Sequence, residues 1–281
     1  MDTTLPLPFL PSVDLGKGAT ESENGLTQKQ LSYLGCVHFA ASSHNVDTLL
    51  QFLQRHVSIE AYVDVTGIES TEGIVTILDA GARKVFVKST QIEALSKFEE
   101  RVIPVFEAQD ASSTIKYTNG VFLTSGCDAK ANLGRLRDSK TSPIFLATST
   151  DNLESSVKLA AEYPVIPIIA ATSLTIGEPS NGQISVDALI GETWTSDRAD
   201  KLIPTVVTDE GGIALGLVYS SRESVAESIK TGTGVYQSRK RGLWYKGATS
   251  GDTQELVRIS LDCDLDCLKF VVRQNGRGMK T

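Results

Sequence analysis

Residues Tyr62–Thr90, YVDVTGIESTEGIVTILDAGARKVFVKST, decide how the larger part of this chain folds. A strand-like run at Glu60–Val65 leads into a helical pattern at Thr71–Ala80, and a second strand-like run follows at Lys84–Lys88. Strand, helix and strand in that order make a βα unit of a parallel sheet. Outward from it, strand-like runs recur at Gly35–Ala40, Val102–Phe106, Val121–Thr124, Pro143–Ala147 and Val165–Ala170. Helical patterns fall between them at Val46–Arg55, Ile92–Phe98, Lys130–Arg137 and Asn152–Glu162. Leu49, Leu50 and Leu53 form the apolar stripe of the helix at Val46–Arg55, and Leu133 and Leu136 stand at i and i+3 in the one at Lys130–Arg137.

This alternation predicts an α/β N-terminal region of degenerate βα-barrel-like units. About seven strands in roughly 140 residues fall short of the eight strand–helix pairs of a complete barrel, so the expectation is an inactive scaffold. Asp64 and Glu107 stand at strand ends, where such folds carry chemistry, but nothing in the sequence pairs them and they are expected to face solvent as loop residues. His38, His44 and His56 have spacings that suit no metal motif and are expected in core or surface roles.

At 281 residues, 41% hydrophobic and 22% charged, the composition fits a globular protein with two modest cores. It excludes disordered and fibrous classes. No apolar run approaches the roughly 18 residues of a membrane span, and the proline-broken start MDTTLPLPFLPSVDL is no signal peptide. Cys36, Cys127, Cys263 and Cys267 lack the spacing of a disulfide framework, which points to the cytoplasm. Charge is uneven: residues 1–200 carry −10, residues 201–281 carry +3, and the whole chain carries −7.

Positive charge gathers in Gly234–Asp266, GVYQSRKRGLWYKGATSGDTQELVRISLDCDLD. Arg239, Lys240 and Arg241 make one short cluster with no second basic stripe, which suits a small phosphorylated ligand better than nucleic acid. Asp262, Asp264 and Asp266 are oxygen donors of the kind Mg²⁺ prefers, although a solvated acidic turn has the same pattern. Cys263 between them is a soft ligand suited to Zn²⁺.

The order of these residues closely resembles the phosphoribosyl-AMP cyclohydrolase family, whose pattern runs Tyr-x-Ser-Arg-x-Arg-x-x-Leu-Trp-x-Lys-Gly-Glu-Thr-Ser-Gly and then Asp-Cys-Asp-x-Asp. The matching residues are Tyr236, Ser238, Arg239, Arg241, Leu243, Trp244, Lys246, Gly247, Thr249, Ser250, Gly251, Gln254 and Asp262 through Asp266. Leu202–Ile229 resembles the opening strand, hairpin and helix of the fungal form, in which the cyclohydrolase is an early part of a trifunctional histidine-biosynthesis protein. Tyr62–Thr90 is similar to one βα unit of the histidine-pathway barrels, with Asp79, Gly81 and Ala82 ending the helix.

The resemblance implies a hydrolase of cyclic amidines that opens the adenine ring of phosphoribosyl-AMP with metal-activated water. It implies substrate binding by Ser238, Arg239, Arg241, Lys246, Gly247, Thr249, Ser250, Gly251 and Gln254, with Trp244 part core and part pocket wall. It also implies Mg²⁺ at Asp262, Asp264 and Asp266, Zn²⁺ at Cys263, and a homodimer that completes the zinc site. Two features depart from the family: Ala248 replaces its Glu, and the chain reads Met279-Lys280-Thr281 before the family's further Cys-His and Ser-Cys-Phe elements. Cys267 is expected in the core, the alternative being a substitute zinc ligand brought near Cys263 by a tight hairpin. The domain expectation is a scaffold at 1–195 and a mainly β (α+β) cyclohydrolase domain at 200–281, divided near Thr193–Leu202. The competing function is a catalytically impaired relative that binds phosphoribosyl nucleotides or a partner subunit.

Overall fold

The computed structural model describes residues 5–15, 25–106, 119–124, 132–133, 136, 143–149, 151–163, 165–180 and 182–276. Glu107, Cys127 and most of the expected helix at Lys130–Arg137 lie outside them. Two compact units are interleaved along the chain. One takes Phe9–Glu21 and Cys36–Ala171, and the other takes Met1–Pro8, Ser22–Gly35 and Thr172–Thr281. The sequence, by contrast, reads as a single division near Thr193–Leu202.

The first unit is a closed parallel barrel of β1 (Leu10–Val13), β2 (Cys36–Ser42), β3 (Glu60–Gly67), β4 (Lys84–Val87), β5 (Val102–Phe106), β6 (Val121–Leu123), β7 (Ile144–Ala147) and β8 (Val165–Ala170). The expectation of seven strands and an incomplete barrel is corrected by β1, which pairs Ser12 with His38 of β2 and Leu10 with Ile168 of β8. This strand has four residues and contains Pro11, so it shows little strand pattern of its own. Neighbours on both sides supply its order. β4 and β5 are buried along their whole length, as expected where a parallel sheet is covered on both faces.

Helices follow the strands where sequence periodicity places them. Leu49 and Leu53 of α2 (Val46–Arg55) enter the core. α3 (Thr71–Asp79) begins where the Ser70 hydroxyl accepts from the Gly73 amide at 3.2 Å, and Gly81 leaves it with φ 115°. The segment after β4 is 3₁₀ rather than α, at Ser89–Gln91 and Glu93–Arg101. Ile92, Leu95 and Phe98 recur every three residues, which is the period of the tighter helix.

Aromatic rings fill the barrel. His38, Phe86 and Phe122 come from alternate strands β2, β4 and β6, with centroid separations of 5.8 Å for His38–Phe86 and 4.7 Å for Phe86–Phe122. Tyr62 and Phe145, from β3 and β7, stand 5.7 Å apart. Contacts between strands two or more apart cross the lumen, so this is the layered packing of a solid core. His38 is the core residue that its spacing suggests: its Nδ1 lies 2.9 Å from the Ser12 hydroxyl, and burial holds the imidazole down to about 4. Asp64 is half-buried rather than solvent-facing and accepts from the Thr66 amide and hydroxyl at 2.9 and 2.7 Å.

The second unit carries α1 (Gln28–Leu34), paired two-residue strands β9 (Leu174–Thr175) and β10 (Ile184–Ser185), then α5 (Val186–Thr193), with α4 (Leu153–Glu162) belonging to the barrel. Its main sheet has the order β12–β11–β16–β15, from β11 (Ile203–Thr208), β12 (Ala214–Ser220), β15 (Gln254–Leu261) and β16 (Leu268–Gln274). β11 runs parallel to β16, with Thr205 opposite Leu268, and the other two pairs are antiparallel. α6 (Arg222–Thr231) leads to a separate hairpin of β13 (Val235–Ser238) and β14 (Gly242–Tyr245). Val225, Ile229, Tyr236, Ile259 and Phe270 are among its buried residues.

α1 packs against β15 and α6. Thr27 and Gln30 form a reciprocal capping box at its start, and Gly35 ends it at φ 72°. A Cβ on Gly232, the C-cap of α6, would lie 2.4 Å from the Tyr33 hydroxyl of α1, so the close approach of these elements needs glycine there.

Candidate functional site

The hairpin joining β15 to β16 makes the acidic turn. Its ends are closed by the Asp262 amide donating to the Cys267 carbonyl at 3.0 Å, and Leu265 turns the chain with φ 63°. One Asp262 carboxylate oxygen accepts from the amides of Asp266 and Cys267, both at 3.1 Å. As a result the oxygens of Asp262, Asp264 and Asp266 lie within 4.8 Å of one another, all exposed. The Asp264 charge, followed by desolvation and the Asp262 charge, raises the Asp266 carboxyl above its ordinary value. Three hard donors that repel one another suit a divalent cation with a mostly oxygen shell.

Cys263 is exposed, but no group of three or more His, Cys, Asp or Glu ligand atoms that includes it converges among the described residues. Zinc in a catalytic site takes three protein ligands. Cys267 is half-buried just before β16, its Sγ 3.5 Å from the Leu268 carbonyl, and burial pushes its thiol up.

The basic residues occupy the tip of the β13–β14 hairpin. Ser238 pairs with Gly242, and the Ser238 hydroxyl accepts from the Arg241 amide at 3.2 Å, which leaves Arg239, Lys240 and Arg241 exposed. Trp244, further along β14, is half-buried, its ring 6.1 Å from Tyr236, and the Lys246 ammonium lies 6.0 Å from the indole centroid.

A glycine turn follows. Gly247 has φ 88°, and a Cβ there would sit 2.6 Å from the Asp252 carbonyl, so both backbone conformation and space demand glycine. The Gly251 amide donates to the Gly247 carbonyl at 2.8 Å, and the Ser250 hydroxyl accepts from the Asp252 amide at 3.2 Å. Thr249, Ser250 and Gly251 are exposed. Gln254 is buried instead: its carbonyl accepts from the Tyr236 hydroxyl at 2.7 Å and its amide donates to Gln274 at 3.0 Å.

Topology decides which of these residues meet. Tyr219 of β12 pairs with Pro204, one residue before the Thr205–Leu268 pair, so it is level with Cys267 two strands across, about 10 Å away. The Arg239 guanidinium lies 5.5 Å from the Tyr219 ring centroid, which brings the basic hairpin tip to the sheet end that carries the acidic turn. A connector ties this end together. The Thr195 amide donates to the Leu265 carbonyl at 2.7 Å, Asp197 adds to the field on Asp266, and Arg198 lies 4.5 Å from the Tyr219 centroid.

The glycine turn lies at the other end. The eight residues of β15 separate it from the acidic turn by roughly 25 Å. Within one chain, Thr249, Ser250 and Gly251 therefore do not join Arg239 and Asp262–Asp266. Asp197, Arg198 and Tyr219 belong to the assembled end, and sequence reading missed them because no local pattern distinguishes them.

Residues 216–279 match the family model described as phosphoribosyl-AMP cyclohydrolase. The chain is similar to the histidine biosynthesis trifunctional protein of Neurospora crassa, 50% identical over 284 residues that cover 99% of this chain and 33% of that protein. It is 34% identical to the histidine biosynthesis bifunctional protein his7 of Schizosaccharomyces pombe, over 96% of this chain and 68% of the relative. The phosphoribosyl-AMP cyclohydrolase of Halobacterium salinarum is 40% identical over 101 residues, which are 35% of this chain and 78% of that protein. The chain thus spans a third of the length of its Neurospora relative.

Proposed function

Because the chain belongs to the phosphoribosyl-AMP cyclohydrolase family, we propose that it acts in histidine biosynthesis by opening the adenine ring of phosphoribosyl-AMP with water. The observation that carries this reading is that the acidic turn and the Arg239 hairpin lie at the same end of the sheet. Asp262, Asp264 and Asp266 would hold Mg²⁺ against substrate phosphate, and the charge of Asp264 on Asp266 favours such a cation. Arg239 and Arg241 would bind phosphate oxygens, with Arg suited to paired contacts. Lys246 and the backbone and hydroxyl donors of Gly247, Thr249, Ser250 and Gly251, at the opposite end of the sheet, would bind phosphate of a substrate held at the acidic turn of a second copy. Ser238 and Gln254 act through the backbone and the Tyr236–Gln274 network that they hold.

Zinc lowers the pKa of bound water to about 7 when it is held in an open site. Cys263 is proposed as one of its ligands; the described residues of one chain do not complete the set. A homodimer is proposed to complete the site. β12 is an edge strand with Leu215 and Leu217 exposed at 41 and 71%, and Ile213 just before it at 67%, an apolar edge suited to a second copy. Light scattering should report a dimer for the native sequence and a shift to monomer for Leu217→Arg; a native monomer would remove this part. Free thiols at Cys263 and Cys267 support a cytoplasmic setting. Among the described residues, no helix is long and apolar enough to cross a membrane.

The separation of the glycine turn from the acidic turn, with neither Cys263 nor Cys267 in a converging group of three ligand atoms among the described residues, favours a second reading in which the chain binds phosphoribosyl nucleotides without turnover. An absorbance assay of ring opening with Mg²⁺ and Zn²⁺ decides between them. Turnover that falls by ~10²-fold or more in Cys263→Ser supports the first reading; tight nucleotide binding with no turnover supports the second.

A further inference from the structure

Tyr219 is half-buried at the end of β12, and two guanidinium groups approach its ring, Arg198 at 4.5 Å and Arg239 at 5.5 Å. The two cations differ in their partners. Asp200 binds Arg198 through two parallel contacts, Nε to Oδ1 at 2.8 Å and Nη2 to Oδ2 at 2.7 Å, so its charge is matched in place. Arg239 has no carboxylate within ion-pair distance among the described residues. Its charge stays available to an anion, while the negative face of the aromatic ring limits where the side chain can go. A backbone-proximal link fixes the geometry: the Ser221 hydroxyl, two residues beyond Tyr219, donates to the Gln237 side chain at 3.2 Å, two residues before Arg239. The platform and the hairpin are therefore joined beside the stack.

We propose that Tyr219 is a positioning residue, holding Arg239 on its ring so that the guanidinium faces substrate phosphate beside the acidic turn. Arg198, neutralised by Asp200, packs on the same ring without competing for that phosphate. This rests on the reading of Arg239 as a phosphate ligand. An arginine restricted before binding loses less side-chain freedom when the ligand arrives, so the effect belongs to affinity. The ring is what matters; the hydroxyl is dispensable.

The test compares Tyr219→Phe, Tyr219→Leu, Arg239→Ala and the Tyr219→Leu/Arg239→Ala double variant in the whole chain. Calorimetry reads the Kd for phosphoribosyl-AMP, and NMR of the arginine Nε–H groups reads the ring-current shift on Arg239. Tyr219→Phe should bind within about twofold of the native chain and keep the shift, whereas Tyr219→Leu should bind roughly threefold more weakly and lose it. The double variant should bind no more weakly than Arg239→Ala, since without the guanidinium there is nothing left to position. Unchanged affinity in Tyr219→Leu, or losses that multiply in the double variant, overturns the positioning role while leaving Arg239 a ligand. An Arg239→Ala variant that binds like the native chain overturns the phosphate reading itself, and the positioning role with it.

Discussion

The two units put ionisable groups to opposite uses. In the barrel, His38 is enclosed by Phe86 and Phe122, and burial keeps the imidazole neutral down to about pH 4. In the sheet unit, Asp262, Asp264 and Asp266 stand exposed and crowded, and their mutual repulsion raises Asp266. A discharged group in an aromatic core contributes packing, whereas crowded charges at a water-facing turn can be relieved by a cation. The difference lies in access to water and in how charge is matched, which fold class alone does not fix.

If that contrast is right, damage to one unit should leave the chemistry of the other intact. The largest effect is expected from Phe86→Ala, which opens a cavity between the rings of Phe122 and Phe145 and should cost the barrel about 3–5 kcal/mol. Chemical denaturation should show the barrel transition moving while Mg²⁺ binding in the folded chain is retained. A matching loss of Mg²⁺ binding would show that the units are not independent.

Acid provides the next test. Between about pH 6.5 and 4 the unfolded chain protonates His38 and the folded barrel does not, so stability present above pH 6.5 is lost as pH falls through that window. The full loss is about 3 kcal/mol. In His38→Leu the pH dependence assigned to this residue should disappear from denaturation curves, and an unchanged slope would place the acid sensitivity elsewhere.

A smaller change is expected at the basic hairpin. Arg239→Ala and Arg241→Ala should each weaken phosphoribosyl-AMP binding by about 2 kcal/mol without moving the barrel transition. Equal affinity in both variants would return these arginines to a solvated surface. The smallest effect concerns the acidic turn: Asp264→Asn should lower the Asp266 pKa towards the ordinary carboxylate range and weaken Mg²⁺ binding. An NMR titration in which Asp266 does not move would show that the crowding is not what raises it.

Strands such as Val102–Phe106 and Val165–Ala170, and the α2 helix, were legible because each carries its own signal, a buried β run or a repeating apolar stripe. The site was legible as a set of residue types: clustered arginines, a glycine turn and alternating carboxylates. Its assembly was not. That Gln254 turns inward to Tyr236 and Gln274 depends on neighbours twenty or so residues away along the chain.

The sequence by itself determined the βα alternation, the location of positive charge after residue 200 and the family motif from Tyr236 to Asp266. Tertiary structure decided that Leu10–Val13 closes the barrel, that segments before Cys36 join the second unit, and that Arg239 meets Tyr219 while Thr249–Gly251 lies at the far end of β15. The physical reason is range. Periodicity, turn chemistry and charge act between near neighbours, whereas pairing Thr205 with Leu268 or Leu10 with Ile168 closes long loops, and the burial that offsets their entropy exists only once the distant strands have met.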